Sequence, residues 1–290
     1  MGEVTSKDGT TIAFDRSGEG PPIVIVGGAL GDRSAAAEVA SHLTRRFTVI
    51  AFDRRGRGDS GDTAPYAVDR EIEDVEALIV DIGGQSSVFG HSSGAVLALE
   101  ATRSLPDRIT KLALYEPPFI VDDSRAPLPE DFVTRLDALI SEDRPGDAVE
   151  YFLTTGPGVP AEVVAGMRQE PFWASFESIA HTLAYDGTIM RDVTGGSPAP
   201  LRHWASVGVP TLVMDGGASP DWIRNAALAL IEVLPDARRR TLEGQDHGPD
   251  PKLLAPAVEA SSPTERRLGY SSGEHPAGTC VHRVDWSCGR

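Results

Sequence analysis

The sequence predicts a doubly wound α/β fold, in which a mostly parallel sheet carries helices on both faces and a helical cap interrupts the core. Short apolar, β-branched runs alternate with amphipathic helical patterns up to residue 118 and again from residue 205. The interval between them, residues 119–204, has helical patterns only. With 290 residues, of which 40% are hydrophobic and 24% charged, the chain is long enough to bury one large core.

Each strand of the sheet is predicted by its own pattern. Alternating polar and apolar residues at 10–14 are typical of an outer antiparallel strand. Dense β-branched runs indicate buried parallel strands, and they lie at residues 22–26, 47–52, 87–89, 109–115 and 210–214, with a last strand at 239–242. Helical patterns fall between the strands, near residues 34–45, 67–81, 94–104, 220–234 and 251–260. In such a sheet, ligands bind at the carboxyl ends of the strands.

The helical interval sets the domain boundaries. We expect a core of residues 1–118 and 205–260, a helical cap of residues 119–204, and a flexible C-terminal tail of residues 261–290. Cap helices are expected after Pro129 and near residues 146–154, 160–168 and 172–190. The cap is rich in aromatic side chains, which suits an apolar or ring-containing ligand and is equally expected of a small packed domain.

Charge and composition exclude several classes of partner. The 43 acidic and 27 basic side chains give a formal net charge of −16, which opposes the neutralisation of nucleic-acid phosphates. No apolar run approaches the about 18 residues of a membrane helix, and residues 1–10 do not resemble a signal peptide. We therefore expect a cytoplasmic protein that binds a small molecule and neither nucleic acid nor membrane. The sequence carries no signal for an oligomeric state, and the two cysteines, Cys280 and Cys288, cannot staple the body of the chain.

The sharpest local signal is the pentapeptide Gly90-His91-Ser92-Ser93-Gly94, which lies between a predicted strand and a predicted helix. A serine at the apex of such a turn adopts a strained left-handed conformation that points its hydroxyl into the cleft. The same geometry aims the amide of Ser93 at the position where an oxyanion would form. The pattern therefore predicts Ser92 as a nucleophile.

A nucleophilic serine needs a base, and His247 is the best candidate because it follows the last predicted strand in a loop. His91 adjoins the serine, but we expect its side chain to point into the sheet behind the turn as a packed structural histidine. Of the remaining histidines, only His181 in the cap is positioned to meet a substrate.

Four segments, taken together, resemble the α/β-hydrolase superfamily. They are the glycine-rich run at residues 27–31, the run Asp-Arg-Arg-Gly-Arg-Gly-Asp-Ser at 53–60, the elbow at 90–94, and the late His247. The resemblance covers residues 1 to about 260 and implies an eight-stranded sheet.

The resemblance also implies roles for individual residues. Ser92 would be the nucleophile and His247 the base, and the backbone amides of Ala29 and Ser93 would form the oxyanion hole, with Gly28 as the neighbouring alternative to Ala29. We expect no cofactor, and no metal either, because the cysteines and histidines of residues 261–290 lack the paired C-x-x-C spacing of a metal site.

The acid of the catalytic triad departs from the common pattern of this superfamily. Most members place an aspartate after the penultimate strand as G-x-x-D, whereas the run here ends in Ser219, and a hydroxyl cannot stabilise an imidazolium as a carboxylate does. Glu116, just past the strand that follows the elbow, is our preferred acid. This placement resembles certain lactonases and haloalkane dehalogenases. Asp215 and Asp221 flank the usual position and remain alternatives, as does a merely structural role for the carboxylate.

The leading hypothesis is a cofactor-independent serine hydrolase that cleaves a carboxylic ester or lactone of an apolar or aromatic small molecule through an acyl-enzyme. A serine at the elbow excludes chemistry that begins with carboxylate attack on carbon. Two alternatives stay open: a carbon–carbon bond hydrolase or perhydrolase with the same triad, and a non-hydrolytic ligand-binding or cyclising protein. The residues expected to contact the substrate are Leu30, Trp173, Phe176, His181 and Tyr185.

Overall fold

An eight-stranded sheet forms the centre of the computed structural model, which describes residues 1–260. Its strands are β1 (Gly2–Thr5), β2 (Thr11–Ser17), β3 (Pro22–Val26), β4 (Thr48–Phe52), β5 (Ser86–His91), β6 (Ile109–Tyr115), β7 (Thr211–Gly216) and β8 (Ala237–Leu242). Their order across the sheet is β1-β2-β4-β3-β5-β6-β7-β8. Strand β2 pairs antiparallel with β1 and with β4. The other six strands, β3 to β8, are parallel to one another. The predicted fold class is confirmed.

Strand β1 is missing from the pattern-based prediction. Its residues alternate between half-buried and exposed, and it lies at the edge of the sheet, where Glu3 and Thr5 face solvent. An edge strand with one half-buried face needs no apolar run, so its sequence shows no hydrophobic signal.

Helices cover both faces of the sheet. In the described part of the chain they are α1 (Ala37–Leu43), α2 (Val68–Asp81), α3 (Ser93–Ser104), α4 (Phe132–Ser141), α5 (Pro145–Thr155), α6 (Ala161–Met167), α7 (Trp173–Ser178), α8 (Leu183–Met190), α9 (Asp221–Val233) and α10 (Pro251–Glu259). Helices α1 and α10 bury their apolar residues against one face. Helices α2, α3 and α9 pack on the other face, in a cluster that continues into the helices between β6 and β7. This two-layer burial gives the sheet its core on both sides.

Helices α4 to α8 occupy the chain between β6 and β7, within the interval where the sequence predicts the cap. Helix α8 contacts α3 of the core and α4 of the cap, and it is apolar on most sides. The one charged residue of α8 is Asp186, and its side chain is fully buried. A lone buried carboxylate is costly unless it is paired, so the partners of Asp186 matter for the site.

The predicted tail of residues 261–290, with Cys280 and Cys288, lies outside the described residues. Within residues 1–260, none of the helices combines the length and apolar character needed to cross a bilayer.

Candidate active site

Ser92 lies at the turn between β5 and α3, where the sequence predicts the elbow. Its backbone has φ 57° and ψ −129°, a region that costs free energy for any residue other than glycine. The following Gly94 packs so closely on the end of β3 that a side chain there would collide with the backbone carbonyl oxygen of Val26. Helix α3 can therefore begin immediately after Ser92, and the serine is held at the tip of a tight turn.

Ser92 and His247 line the same cavity, which has a volume of about 460 Å³. Ala29, Leu30, Ser93 and Glu116 line it as well, so the predicted triad and both predicted oxyanion segments meet at one site. Most of the remaining wall is apolar and comes from the cap and from α9, including Leu128, Phe152, Leu153, Val159, Met190 and Ile223. Such a cavity favours an apolar ligand.

Glu116 is hydrogen-bonded to His247. Its Oε2 lies 2.7 Å from Nδ1 of the imidazole, and its Oε1 accepts hydrogen bonds from the Gly216 amide at 2.7 Å and from the Ser219 hydroxyl at 2.5 Å. The carboxylate is fully buried, and Glu116 has φ 49°. Burial opposes ionisation, but the hydrogen bonds from His247, Ser219 and Gly216 outweigh it and hold the pKa of Glu116 below its ordinary value. The carboxylate is therefore charged and aimed at Nδ1.

Ser219 stands at the position where the sequence resemblance leads us to expect the acid, and its hydroxyl donates to the Glu116 carboxylate, which follows β6. The segment after β6 thus supplies the carboxylate of Glu116, and the segment after β7 supplies the Ser219 hydroxyl that donates to it.

The two alternative acids do not contact His247. Asp215 is paired with Arg239 through two hydrogen bonds of 2.9 and 2.6 Å and also accepts from the Thr241 hydroxyl. Asp221 is mostly exposed and forms an ion pair with Arg224 on its own helix. Among the three candidates, the geometry selects Glu116 as the partner of the imidazole.

The loop that carries His247 is fixed by two side chains of the core. His91 Nε2–H donates to the backbone carbonyl of His247 at 3.0 Å, and the Tyr115 hydroxyl donates to the carbonyl of Asp246 at 2.5 Å. Burial, with a smaller effect from neighbouring His247, lowers the pKa of His91 to about 4, so the ring is neutral at pH 7. The expectation that His91 points into the sheet is wrong: its ring faces the His247 loop, with ring centroids 4.9 Å apart.

The predicted oxyanion hole lies between the elbow and residues 27–31. This loop approaches the elbow closely, since a Cβ on Gly28 would lie 2.9 Å from the Ser92 Cβ. Within residues 1–260, the amides of Ala29 and Ser93 donate no backbone hydrogen bond. Both N–H groups are therefore free to donate to a ligand oxygen.

A buried network of charges holds both halves of this hole. Arg57 Nη1 donates to the carbonyl oxygens of Gly28 and Gly31 at 2.6 and 3.3 Å, and its Nη2 donates to Asp186 at 2.6 Å. The other oxygen of Asp186 accepts from the Ser93 hydroxyl at 2.7 Å. A single carboxylate on cap helix α8 thus connects the glycine-rich loop to the elbow.

Arg54 completes the network. It donates to Asp186 at 2.7 Å and binds both oxygens of Glu71 at 2.6 and 2.7 Å. Burial would raise the pKa of Asp186, but the charges of Arg57 and Arg54 outweigh it and hold the pKa below its ordinary value. The arginine-rich run at 53–60 is visible in the sequence, whereas Asp186 is not predicted from it, because no local pattern marks a buried carboxylate that pairs across 129 residues.

Trp173 and Phe176 do not line the catalytic cavity, so the expectation that they contact the substrate is not supported. Trp173 is buried within the cap and donates to Glu177 at 3.1 Å. Phe176 lines a different cavity, of about 430 Å³, between α7 and the loop around Gly31. Helix α7 thus places Trp173 inside the cap and Phe176 at this second cavity, which the helical period alone does not reveal.

His181 and Tyr185 also lie away from the catalytic cavity. The Tyr185 ring stacks on Tyr66 with centroids 3.9 Å apart, and its hydroxyl donates to Asp62 at 2.8 Å. His181 faces the same carboxylate at 3.8 Å. Tyr185 therefore links helix α8 to residues 62–66, and His181 lies beside the same segment. Of the predicted substrate contacts, Leu30 is the one that lines the catalytic cavity.

In the part of the chain that the structure describes, no group of three or more histidine, cysteine, aspartate or glutamate side chains is arranged to hold a metal ion.

The parallel sheet, the elbow and the late histidine place this protein in a class of enzymes built on one hydrolase fold. Residues 23–257 match the family model described as "Alpha/beta hydrolase family", and the chain belongs to that family.

Individual relatives agree with this assignment. The crystal structure of an α/β hydrolase from Sphaerobacter thermophilus DSM 20745 is similar to this chain with a TM-score of 0.84 and 56% sequence identity, covering 90% of this chain and 99% of that one. The 2-(acetamidomethylene)succinate hydrolase of Mesorhizobium japonicum is 26% identical over 250 residues, 82% of this chain and 85% of that protein. The uncharacterized hydrolase YraK of Bacillus subtilis is 34% identical over 113 residues, which span 38% of this chain and 42% of that protein.

Proposed function

We propose that this protein is a cofactor-independent serine hydrolase that cleaves a carboxylic ester or lactone of an apolar small molecule. The observation that carries the proposal is the 2.7 Å hydrogen bond between His247 and buried Glu116, in the cavity that Ser92 also lines. A nucleophile, a base and an orienting acid in one cleft are the parts that acyl transfer needs.

The first half of the reaction forms an acyl-enzyme. The Ser92 oxygen attacks the carbonyl carbon of the substrate while His247 Nε2 accepts the hydroxyl proton. The carbonyl electron pair moves onto oxygen, and the amides of Ala29 and Ser93 donate to that oxyanion. When the carbon–oxygen bond to the leaving group breaks, His247 returns the proton to the departing alkoxide.

Water completes the cycle. His247 takes a proton from a water molecule, the resulting hydroxide attacks the acyl carbon, and the bond to Ser92 breaks as the proton passes back to the serine oxygen. Glu116 accepts the Nδ1–H hydrogen bond throughout, which fixes the tautomer and stabilises the imidazolium. Because its pKa lies below the ordinary value, Glu116 stays ionised at neutral pH.

The substrate class follows from the cavity wall. Apolar side chains form most of it, including those of leucine, isoleucine, valine, methionine, phenylalanine, tryptophan and proline residues, which favours an apolar acyl or alcohol part. A relative that is named a hydrolase supports bond cleavage by water as the reaction type. The intact Glu116–His247 pair favours hydrolysis over a ligand-binding protein that has lost its acid.

The test is an assay of short and medium p-nitrophenyl esters and a panel of lactones with the parent protein and three variants. Ser92→Ala is expected to abolish hydrolysis, and Glu116→Gln to lower kcat by on the order of 10³ to 10⁴. Asp221→Asn is the matched control, since it changes an exposed carboxylate that does not contact His247, and it is expected to keep kcat within about twofold.

Two results would contradict the proposal. Hydrolysis that survives Ser92→Ala would show that Ser92 is not the nucleophile, and full activity in Glu116→Gln would show that Glu116 is not the acid. A parent protein that cleaves none of these substrates but cleaves carbon–carbon bonds or forms peracids would favour the alternative chemistries.

A further inference from the structure

Arg125 is a basic residue of the catalytic cavity that the proposed mechanism does not use. Among the described residues that line this cavity, it is the one arginine or lysine. Its ionisable neighbours in the wall are Glu116, Asp246 and His247, of which the first two are acidic. The cavity thus combines an apolar wall with a single permanently cationic group.

Arg125 has no carboxylate partner in the part of the chain that the structure describes. Its Nη2 donates to the backbone carbonyls of Thr155, at 2.9 Å, and Gly156, and the guanidinium lies over the Trp222 ring, 4.5 Å from the centroid. Within residues 1–260, its Nε and Nη1 groups donate to no protein acceptor. Several N–H donors of a planar fork are therefore left for a ligand.

Three buried arginines of the interior differ from Arg125 in that each has a carboxylate partner. Arg54, Arg55 and Arg57 are buried and each forms an ion pair with a buried carboxylate. Arg125 is half-buried, and burial lowers its pKa because no ion pair with a carboxylate of residues 1–260 offsets that effect. A partly desolvated guanidinium is stabilised when an anion binds to it.

A structural role accounts for only part of this arrangement. The two carbonyls that Arg125 binds end helix α5, and a cation at a helix C-terminus is stabilising. That role occupies Nη2 alone. It does not explain why the side chain lines the catalytic cavity with Nε and Nη1 unpaired.

We propose that Arg125 binds a carboxylate of the substrate, so that the natural esters or lactones carry an anionic carboxylate remote from the carbonyl that Ser92 attacks. This inference rests on the proposed hydrolase function. Arg125 would orient the substrate by a bidentate, charge-assisted contact while the apolar wall holds the chain between the two ends. Without this cation, Glu116 and Asp246 would repel an anionic substrate from the cavity.

The test uses pairs of substrates that differ only in the charge of the remote group. Monomethyl adipate and dimethyl adipate place it on the acyl side, and 4-acetoxybutanoate and its methyl ester place it on the alcohol side. Binding is measured first by calorimetry with the Ser92→Ala protein, so that the readout does not depend on turnover. At least one anion is expected to bind about tenfold or more tightly than its methylated partner, and Ser92→Ala/Arg125→Gln is expected to lose that preference.

Turnover gives the second readout. Arg125→Gln is expected to lower kcat/KM for the preferred anion by about tenfold or more, measured by methanol or acetate release, and to change the value for the neutral partner by less than about threefold. Arg125→Lys keeps the charge and is expected to retain part of the preference. Arg191→Gln is the control, because it removes an exposed cap arginine that does not line the cavity.

The outcomes separate this inference from the proposed function. The carboxylate site would be overturned if the protein preferred neither anion, or if the preference persisted without Arg125. An equal loss of kcat/KM on charged and neutral esters would also overturn it, because only the structural role of Arg125 would then remain. Preferential binding of an anion to Ser92→Ala, with no hydrolysis of any ester by the parent, would support the site and refute the hydrolase. Circular dichroism of each variant identifies a folding defect. If Arg125→Gln is misfolded, the proposal is judged on whether Arg125→Lys still prefers the anion to its methyl ester.

Discussion

Replacing Asp186 by asparagine is expected to lower both the stability and the turnover of this protein. The carboxylate is fully buried and accepts hydrogen bonds from Arg54, Arg57 and Ser93 at 2.6 to 2.7 Å. Asparagine keeps the shape, but it removes the charge and turns an NH₂ group toward a donor. Breaking a buried ion pair from one side costs about 3–5 kcal/mol, and this is the expected loss in the free energy of unfolding.

The loss of turnover has a separate cause. Arg57 holds the carbonyls of Gly28 and Gly31, and Ser93 supplies the second predicted oxyanion amide, so Asp186 positions both halves of the hole. Losing the alignment of one oxyanion donor costs about 10²-fold in kcat, with a smaller change in KM because the hole acts mainly in the transition state. Steady-state kinetics on the best p-nitrophenyl ester measures the effect at a temperature where circular dichroism shows the variant folded.

Asp74→Asn is the matched control. Asp74 is equally buried and binds Arg55 through two hydrogen bonds of 2.8 Å, but it lies on α2 and does not line the catalytic cavity. It is expected to lower stability by a similar amount and to leave kcat within about threefold. Equal kcat values for the two variants would refute the positioning role of Asp186 and leave it as a structural ion pair.

Two further predictions concern the groups around His247. Ser219→Ala removes the 2.5 Å hydrogen bond to Glu116, so kcat is expected to fall about tenfold in steady-state assays, and an unchanged kcat would show that the hydroxyl does not help to hold the acid. An ordinary histidine takes up a proton near pH 6.5, whereas His91 in the folded protein does so only near pH 4, so between these values the unfolded chain binds more protons and stability falls as the pH falls. His91→Gln is therefore expected to lose less unfolding free energy than the parent between pH 7 and pH 5 in urea denaturation, and identical losses would contradict the lowered pKa of His91.

The parts of this site that the sequence predicts are those with a local signal. The elbow needs a strand, two glycines and a helix in direct succession, and all three are visible in a short window around Ser92. Glu116 is predicted for a different reason: the family resemblance implies an acid at position 219, which is a serine here, so a carboxylate at another strand end is expected to replace it.

The parts that the sequence does not predict depend on packing between distant segments. The helical period places Trp173 and Tyr185 on cap helices, but the way α7 and α8 pack turns both rings away from the cavity. The pairing of Asp186 with Arg57 joins residues 129 apart, and no pattern within either segment marks it. Arg125 is likewise an unremarkable residue in the sequence, and its significance comes from the wall that it shares with Ser92.

In the proposed mechanism, the Ser92 oxygen is the nucleophile that His247 and Glu116 activate. The most direct measurement is mass spectrometry of the protein after treatment with a fluorophosphonate, which phosphonylates an activated serine irreversibly. One phosphonyl group per chain is expected, located on Ser92, with slower labelling of Glu116→Gln and none of Ser92→Ala. Labelling at another residue, or a parent protein that stays unmodified while a reference serine hydrolase reacts fully, would contradict the role of Ser92 as the nucleophile.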